Sequence, residues 1–165
     1  MPTRAVLEPW KSFLTELDAS IDEELELHCL GGFAMTFLYG LERPTADVDI
    51  LPIASSAAER LISIAGQGST LHRKHRVYIQ IVGVAPVPIN YEDRLKEMFP
   101  GTFSRMGLWG LDPYDVALSK LERNTQRDRD DVKHLARTVP LDVKVLEERY
   151  LTELRTDLGI LSEKI

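Results

Sequence analysis

Residues 27–50 read LHCLGGFAMTFLYGLERPTADVDI, and this stretch decides the fold. The pattern predicts a strand that ends at Leu30, a tight glycine turn, a short helix from Phe33 to Tyr39 and a second strand over residues 47–50. The short helix is apolar almost all round, so we expect it to be buried. Two strands that flank a buried helix predict a protein of the α/β class.

The second strand carries two carboxylates, Asp47 and Asp49. Because successive strand residues point to opposite faces, these two share one face while Val48 and Ile50 share the other. Their Cα atoms are expected to lie about 6.6 Å apart, at a rise of about 3.3 Å per residue. Two carboxylates on one face, backed by apolar residues, are typical of a cation site at a sheet surface.

The glycine pair predicts an anion site beside those carboxylates. Gly31 and Gly32 allow a ligand to approach the backbone closely. The N–H groups at the start of the following helix point outward with the positive end of the helix dipole, which attracts phosphate. Phosphates on the glycine turn and a metal on the carboxylates would together bind a metal–nucleoside triphosphate.

These residues, taken in order, resemble the signature of the polymerase-beta-like nucleotidyltransferase fold: Gly31-Gly32, a short helix, then Arg43-x-Thr45-x-Asp47-Val48-Asp49-Ile50. Two later segments, LSKL at 118–121 and RDRDDV at 127–132, resemble the AbiEii-type branch of abortive-infection and toxin nucleotidyltransferases.

The resemblance implies an α/β (α+β) protein with a small mixed sheet flanked by helices and a helical C-terminal half. It covers roughly residues 25–137. We expect a single nucleotidyltransferase-like domain over residues 1–165, with a core of about 25–111 and C-terminal helices of about 112–160.

The resemblance also assigns roles to individual residues. It implies that Asp47 and Asp49 hold Mg²⁺ or Mn²⁺ and are catalytic, together with Lys120 and with Asp131, which would orient Lys120 or another catalytic group. Asp131 is favoured over Asp128 because apolar residues follow it on the side expected to dock. Nucleotide or phosphate contacts are implied for Gly31, Gly32, Arg43, Thr45 and Lys120.

Three of these residues have an alternative interpretation from the residues alone. The Thr45 hydroxyl can bond the local backbone, Arg43 can be a solvated loop charge, and Lys120 can be a solvated helix lysine. The predicted third strand, Val77–Val82, departs from the family pattern, because Gln80 stands where many enzymes of this fold carry a third acidic residue. An amide oxygen can bind a metal but brings no negative charge.

The rest of the chain is predicted mostly helical. His72–Arg76 is the one basic cluster, and is either a solvated loop or a contact to RNA phosphates. The other predicted elements are a helix over 7–19, a helix Ser55–Ala65 capped by Ser55, a helix Tyr91–Phe99, a strand Arg105–Leu111, a helix that starts at Asp112-Pro113 and ends near Arg123, a helix Arg127–Arg137, and an apolar helical stripe from Leu141 to Leu158.

Composition limits the function classes. The 165 residues carry a formal net charge of −6, so the chain has no general attraction to nucleic acid or to an anionic membrane. The single cysteine, Cys29, excludes an internal disulfide framework, suits a reducing compartment and is interpreted as a small buried hydrophobe. No apolar run approaches the roughly 18 residues of a membrane span, so a cytoplasmic location is expected.

The sequence therefore predicts transfer of a nucleotidyl group from a magnesium-bound NTP to an acceptor hydroxyl, in the manner of a toxin. RNA, a protein side chain or a small molecule would each fit as the acceptor. One alternative is a catalytically degenerate nucleotidyltransferase fold that binds a nucleotide or a partner, which Gln80 favours and the Asp47–Asp49 pair opposes. Another is an antitoxin-like or structural partner in a two-component operon. A toxin-like enzyme would itself have a cognate antitoxin or operon partner.

Overall fold

We describe the protein from a computed structural model, over residues 5–83 and 86–154. These residues form two compact units. Unit 1 comprises residues 5–83 and 96–110, and unit 2 comprises residues 86–95 and 111–154.

Unit 1 is built around a five-stranded mixed sheet with the strand order β3-β2-β1-β5-β4. The central strand β1 runs antiparallel to β2 and parallel to β5; β2 is parallel to β3, and β4 is antiparallel to β5. The elements are α1 (Trp10–Ser20), β1 (Leu25–Leu30), α2 (Gly31–Tyr39), β2 (Asp47–Ile50), α3 (Ser55–Ala65), α4 (Thr70–His75), β3 (Tyr78–Ile81), β4 (Lys96–Met98) and β5 (Met106–Gly110).

One face of this sheet carries the hydrophobic core. Alternate strand residues point to it, and helices α1 to α4 all contribute side chains to the same cluster. Its fully buried members include Phe13, Leu17, Leu27, Cys29, Phe33, Val48, Ile50 and Ala65. Burial raises the pKa of the Cys29 thiol, which fits the prediction of a small buried hydrophobe.

The opposite face, which we call the polar face, carries the strand residues that alternate with those of the core. Its residues are half-buried or exposed. They are Glu26, His28 and Leu30 on β1, Asp47 and Asp49 on β2, Tyr78 and Gln80 on β3, and Gly107 and Trp109 on β5.

Unit 2 is helical. It contains a short 3₁₀ helix (Tyr91–Arg94), α5 (Pro113–Arg123), α6 (Gln126–Thr138) and α7 (Val143–Arg149), which continues into a π-helical turn (Tyr150–Leu154). Asp112 caps α5, since its carboxylate accepts the Asp115 N–H at 2.8 Å, and Pro113 follows at the first helical position. The predicted start and end of this helix are therefore confirmed.

A partly buried ionic network links the short 3₁₀ helix to α5, to α7 and to the π-helical turn. Arg94 donates to both Asp115 oxygens at 3.0 and 2.9 Å, and to Glu153 at 2.8 and 3.2 Å. Arg149 donates to Asp112 at 2.9 Å and to Asp115 at 3.1 Å. Burial raises the pKa of the Asp115 carboxyl, with a further contribution from the charge of Asp112, while Arg94 and Arg149 oppose the shift.

Several predicted boundaries are wrong in detail. Helix α1, predicted over 7–19, begins only at Trp10. Helix α2 begins at Gly31 and not at Phe33, because Gly31 takes a φ of +72° and turns the chain without any further loop residue. Ser55 is the first residue of α3 rather than its cap. His72–Arg76 is not a loop, since residues 70–75 form α4, capped by Ser69.

The predicted helix Tyr91–Phe99 is a further case. It ends at Arg94, and residues 96–98 instead pair with β5 as an edge strand, so backbone pairing overrides the local helical pattern. In the predicted C-terminal stripe, Tyr150 and Leu151 are exposed and Leu154 is buried, while Leu158 lies outside the described residues.

Candidate active site

Strand β2 places the two predicted carboxylates side by side. Asp47 and Asp49 are both half-buried on the polar face, while Val48 and Ile50 are fully buried on the core face. The predicted sharing of one face is therefore confirmed. The pair lies on the second of the five strands, between β1 and β3.

The Asp49 carboxylate lies against the start of α2. Leu30 is the register partner of Asp49, and Gly31 follows directly. A Cβ atom on Gly31 would overlap Asp49 Oδ2 and lie 3.2 Å from Asp49 Cγ. Glycine is needed here twice, for its positive φ and for the space that the carboxylate occupies.

Gly32 borders a different residue, Thr45. A Cβ atom on Gly32 would lie 3.4 Å from Thr45 Oγ1. That hydroxyl lies 3.1 Å from the Asp47 carbonyl oxygen and 3.3 Å from Asp47 Oδ1, and it can donate to either. Of the two interpretations of Thr45, the structure contains the local bond, and the phosphate contact stays a prediction. Arg43 is half-buried in the same loop.

Strand β3 supplies the polar neighbours of the carboxylates. Tyr78 pairs with Asp47 in register, and the exposed Gln80 pairs with Asp49. Burial, and then the negative charges of Asp47 and Asp49, raise the pKa of the Tyr78 hydroxyl. A cation bound beside the two carboxylates would relieve this accumulation of negative charge.

The donor set on β2 fits magnesium. Carboxylate oxygens are hard ligands, and Mg²⁺ is commonly held by one or two carboxylates together with waters and substrate phosphates. Within residues 5–83 and 86–154, no group of three or more His, Cys, Asp or Glu side chains is arranged to hold a metal. A metal held by Asp47 and Asp49 would therefore depend on oxygens from water and from the triphosphate.

The other two predicted catalytic residues meet in unit 2. Lys120 Nζ donates to Asp131 Oδ2 at 2.8 Å, and both side chains are buried. Asp128 Oδ1 is 3.9 Å from the same nitrogen. Lys120 is therefore not a solvated helix lysine, since it binds Asp131. A catalytic role for either residue stays a prediction.

Asp128 has a structural partner of its own. Two hydrogen bonds from Arg123, supported by two from Thr125, hold the pKa of the Asp128 carboxyl well below its usual range. Asp128 and Thr125 also form the capping box of α6. Asp128 thus fixes the start of the helix that carries Asp131.

The basic cluster on α4 is partly neutralised. Lys74 pairs with Glu16, and His75 Nε2 lies 3.2 Å from the same carboxylate. The His72 ring centroid lies 4.6 Å from that of Tyr78. The interpretation of this cluster as an RNA contact stays a prediction.

Sequence reasoning missed one arrangement on the polar face. Trp109 Nε1 donates to the Glu26 carboxylate, across 83 residues of chain. The two glycines at 107 and 110 weaken the strand signal of β5. No short-range sequence pattern predicts the contact between Trp109 and Glu26. The parallel pairing of β1 with β5 brings them together.

The structure thus groups Gly31, Gly32, Thr45, Asp47 and Asp49 in unit 1, and Lys120 with Asp131 in unit 2. In the described part of the chain, no helix is both long and apolar enough to cross a membrane.

Comparison with known proteins gives one family. The family described as "Nucleotidyltransferase of unknown function (DUF6036)" matches residues 10–164. No curated protein and no solved structure matches the chain.

Proposed function

Because the chain belongs to this family of nucleotidyltransferases of unknown function, we propose that it moves a nucleotidyl group from a magnesium-bound NTP to an acceptor hydroxyl. Family membership supports nucleotidyltransferase activity in general. The observation that carries the finer proposal is the position of Asp49, which shares the polar face with Asp47 and lies against the first residue of α2. A cation site and a helix N-terminus suited to phosphate are adjacent there.

The proposed reaction is a displacement at phosphorus. The acceptor oxygen forms a bond to the α-phosphorus, the bond from that phosphorus to the oxygen bridging to the β-phosphate breaks, and pyrophosphate leaves with the electron pair. The hydroxyl proton passes to water, since Gln80 is an amide and is a poor base. The contribution of the protein is positioning and electrostatic stabilisation.

Each residue has a proposed task. Asp47 and Asp49 hold Mg²⁺, which when bound neutralises the triphosphate and stabilises charge that develops on the leaving oxygen. Backbone N–H groups at Gly31 and Gly32 donate to phosphate oxygens, and Thr45 orients Asp47 through its hydroxyl. The remaining proposed nucleotide contacts are Arg43 and Lys120, with Asp131 orienting Lys120.

The test is a transfer assay with each of the four NTPs, labelled at the α-phosphate, with magnesium and a total cell extract. We expect label to enter RNA, protein or a small molecule, and each fraction identifies one acceptor class. Asp49→Asn should abolish transfer, because it removes a cation ligand. Asp22→Asn, at an exposed acidic residue, is the matched control and should keep wild-type transfer. Transfer by Asp49→Asn at the wild-type rate would refute the proposed cation site.

A degenerate fold that binds a nucleotide without transfer is the second candidate. The register pairing of Gln80 with Asp49 favours it, because the cation site then has two carboxylates rather than three. Magnesium-dependent NTP binding with no transfer to any fraction would support this candidate. The AbiEii-type branch, toxin activity and a cognate antitoxin remain proposals that depend on the motifs at 118–132.

A further inference from the structure

The Trp109 side chain lies on the polar face and is held there by a hydrogen bond. Its indole N–H is bound by the Glu26 carboxylate, which lies over Gly107. A Cβ atom on Gly107 would overlap Glu26 Oε2 and lie 2.8 Å from Glu26 Cδ, so this carboxylate occupies the space directly over the glycine. The indole is therefore held in one orientation by a partner from the neighbouring strand.

This arrangement determines what Trp109 can offer a ligand. The indole has a single hydrogen-bond donor, and Glu26 accepts from it. What remains is the ring surface, in a side chain that is half-buried. The other tryptophan, Trp10, is only 5% exposed and packs against Phe13 and Phe33 in the core.

Trp109 lies within reach of a ligand on the carboxylate pair. It is the register partner of His28, and Leu30, two residues further along β1, is the partner of Asp49. With two strand spacings of about 4.8 Å and two residues at about 3.3 Å each, the Cα atoms of Trp109 and Asp49 are roughly 12 Å apart. Both side chains are on the same face of the sheet.

The carboxylates beside Trp109 indicate how a nucleotide would be oriented on the polar face. Glu26 is beside Trp109 on β1, and Glu97 is the register partner of Trp109 on β4. Carboxylates on both neighbouring strands repel phosphates, whereas the start of α2 attracts them. The triphosphate therefore belongs at Gly31 and Gly32, which leaves the uncharged end of the nucleotide over β1 and β5.

We propose that Trp109 is the stacking platform for the nucleobase of the NTP, with Glu26 as the residue that positions its ring. This rests on the proposed function, since it requires an NTP on the polar face. Base–aromatic stacking is sequence-tolerant because every base has a π-face. The subsite thus binds a planar nucleobase while Asp47 and Asp49 hold the metal–triphosphate.

The chain allows a direct optical test. In Trp10→Phe, which keeps an aromatic ring in the core, Trp109 is the sole tryptophan. Its emission is followed during titration with ATP, CTP, GTP or UTP in the presence of magnesium, and with inorganic tripolyphosphate, which has no base. We expect the NTPs that bind to quench the emission or shift it, and tripolyphosphate to leave it nearly unchanged.

Affinity is measured by calorimetry in the otherwise wild-type chain, so this arm does not depend on Trp10→Phe folding. Trp109→Leu should weaken NTP binding roughly 5- to 150-fold and leave tripolyphosphate binding unchanged. Trp109→Phe, which retains a ring, should recover part of the NTP affinity.

The outcomes separate the two proposals. NTP binding that is equal in Trp109→Leu and wild type, or equal weakening of NTP and tripolyphosphate binding, would overturn the stacking platform alone. Stacking at Trp109 without transfer of label would overturn the proposed activity and retain the subsite. If the wild-type protein binds no NTP, both proposals are wrong.

Discussion

Replacing Asp131 with Asn would remove the carboxylate that holds the Lys120 ammonium, and would change little else in shape. Lys120 is 7% exposed and Asp131 2% exposed, and their 2.8 Å contact joins α5 to α6. After the change, the lysine charge remains buried with an amide in place of its ion-pair partner. The expected result is a large loss of stability in unit 2.

The magnitude follows from the surroundings of the ammonium. Breaking a buried ion pair by removing one partner costs about 3–5 kcal/mol, because the other charge is left uncompensated. Asp128 Oδ1, 3.9 Å from Lys120 Nζ, still offsets part of that charge, although it is shared with Arg123. We therefore expect the lower end, about 3 kcal/mol. For a chain of this size, that corresponds to a fall in Tm of about 6–12 °C.

The assay is urea unfolding at pH 7 followed by far-UV circular dichroism, with a thermal melt beside it. Asp130→Asn is the matched control, since Asp130 lies one residue away on α6 and is exposed, and it should stay within about 0.5 kcal/mol of wild type. Adding Lys120→Met to Asp131→Asn should restore part of the loss, because no buried charge is then left. A loss below about 0.5 kcal/mol in Asp131→Asn, or simple additivity in the double variant, would refute the reasoning.

Three further outcomes are expected. Gly31→Ala should weaken magnesium binding, measured by calorimetry, because the new Cβ would overlap the Asp49 carboxylate and Gly31 has a φ of +72°. Unchanged magnesium binding would contradict the adjacency of the glycine turn and the proposed cation site. Asp18 accepts N–H bonds from residues 104–106, which outweigh burial and lower its pKa. The Asp18 carboxylate therefore stabilises the fold above its unfolded-state pKa, and this contribution is lost as pH falls through the folded-state pKa. Below about pH 4, the free energy of unfolding of Asp18→Asn should therefore fall less steeply with acid than that of wild type. Parallel curves for the two proteins would contradict this. Lys120→Gln should lower NTP affinity at least about tenfold if Lys120 contacts the triphosphate, and unchanged affinity in a folded variant would refute that contact.

The parts of the fold and site that the sequence predicted correctly are those coded by short-range signals. The shared face of Asp47 and Asp49 follows from the two-residue period of a strand. The start of α5 follows from an Asp–Pro pair, and the end of α2 from Gly40, which takes a φ of +72°. The Lys120–Asp131 contact was predicted through the family resemblance and not through any local pattern.

The parts that were missed depend on residues far apart in the chain. Strand β4 exists because β5 offers it an edge, and its own three residues carry a weak strand signal. Glu26 meets Trp109 only because β1 and β5 are parallel neighbours, although their residues are 83 positions apart. Arg94 likewise finds Asp115 and Glu153 only after α5 and the turn that follows α7 have formed.

The Arg94 network can be completed only after Glu153 has been synthesised. Arg94 lies in a segment inserted between β3 and β4, yet one of its partners, Glu153, follows it by 59 residues. At about 5–20 residues per second, a ribosome needs roughly 3–12 s to cover that interval. All five strands of unit 1 have been synthesised once the ribosome has passed Gly110. At that point the segment that carries Arg94 still lacks its partner Glu153. Vectorial synthesis therefore favours formation of the unit 1 sheet first and of the arginine network last.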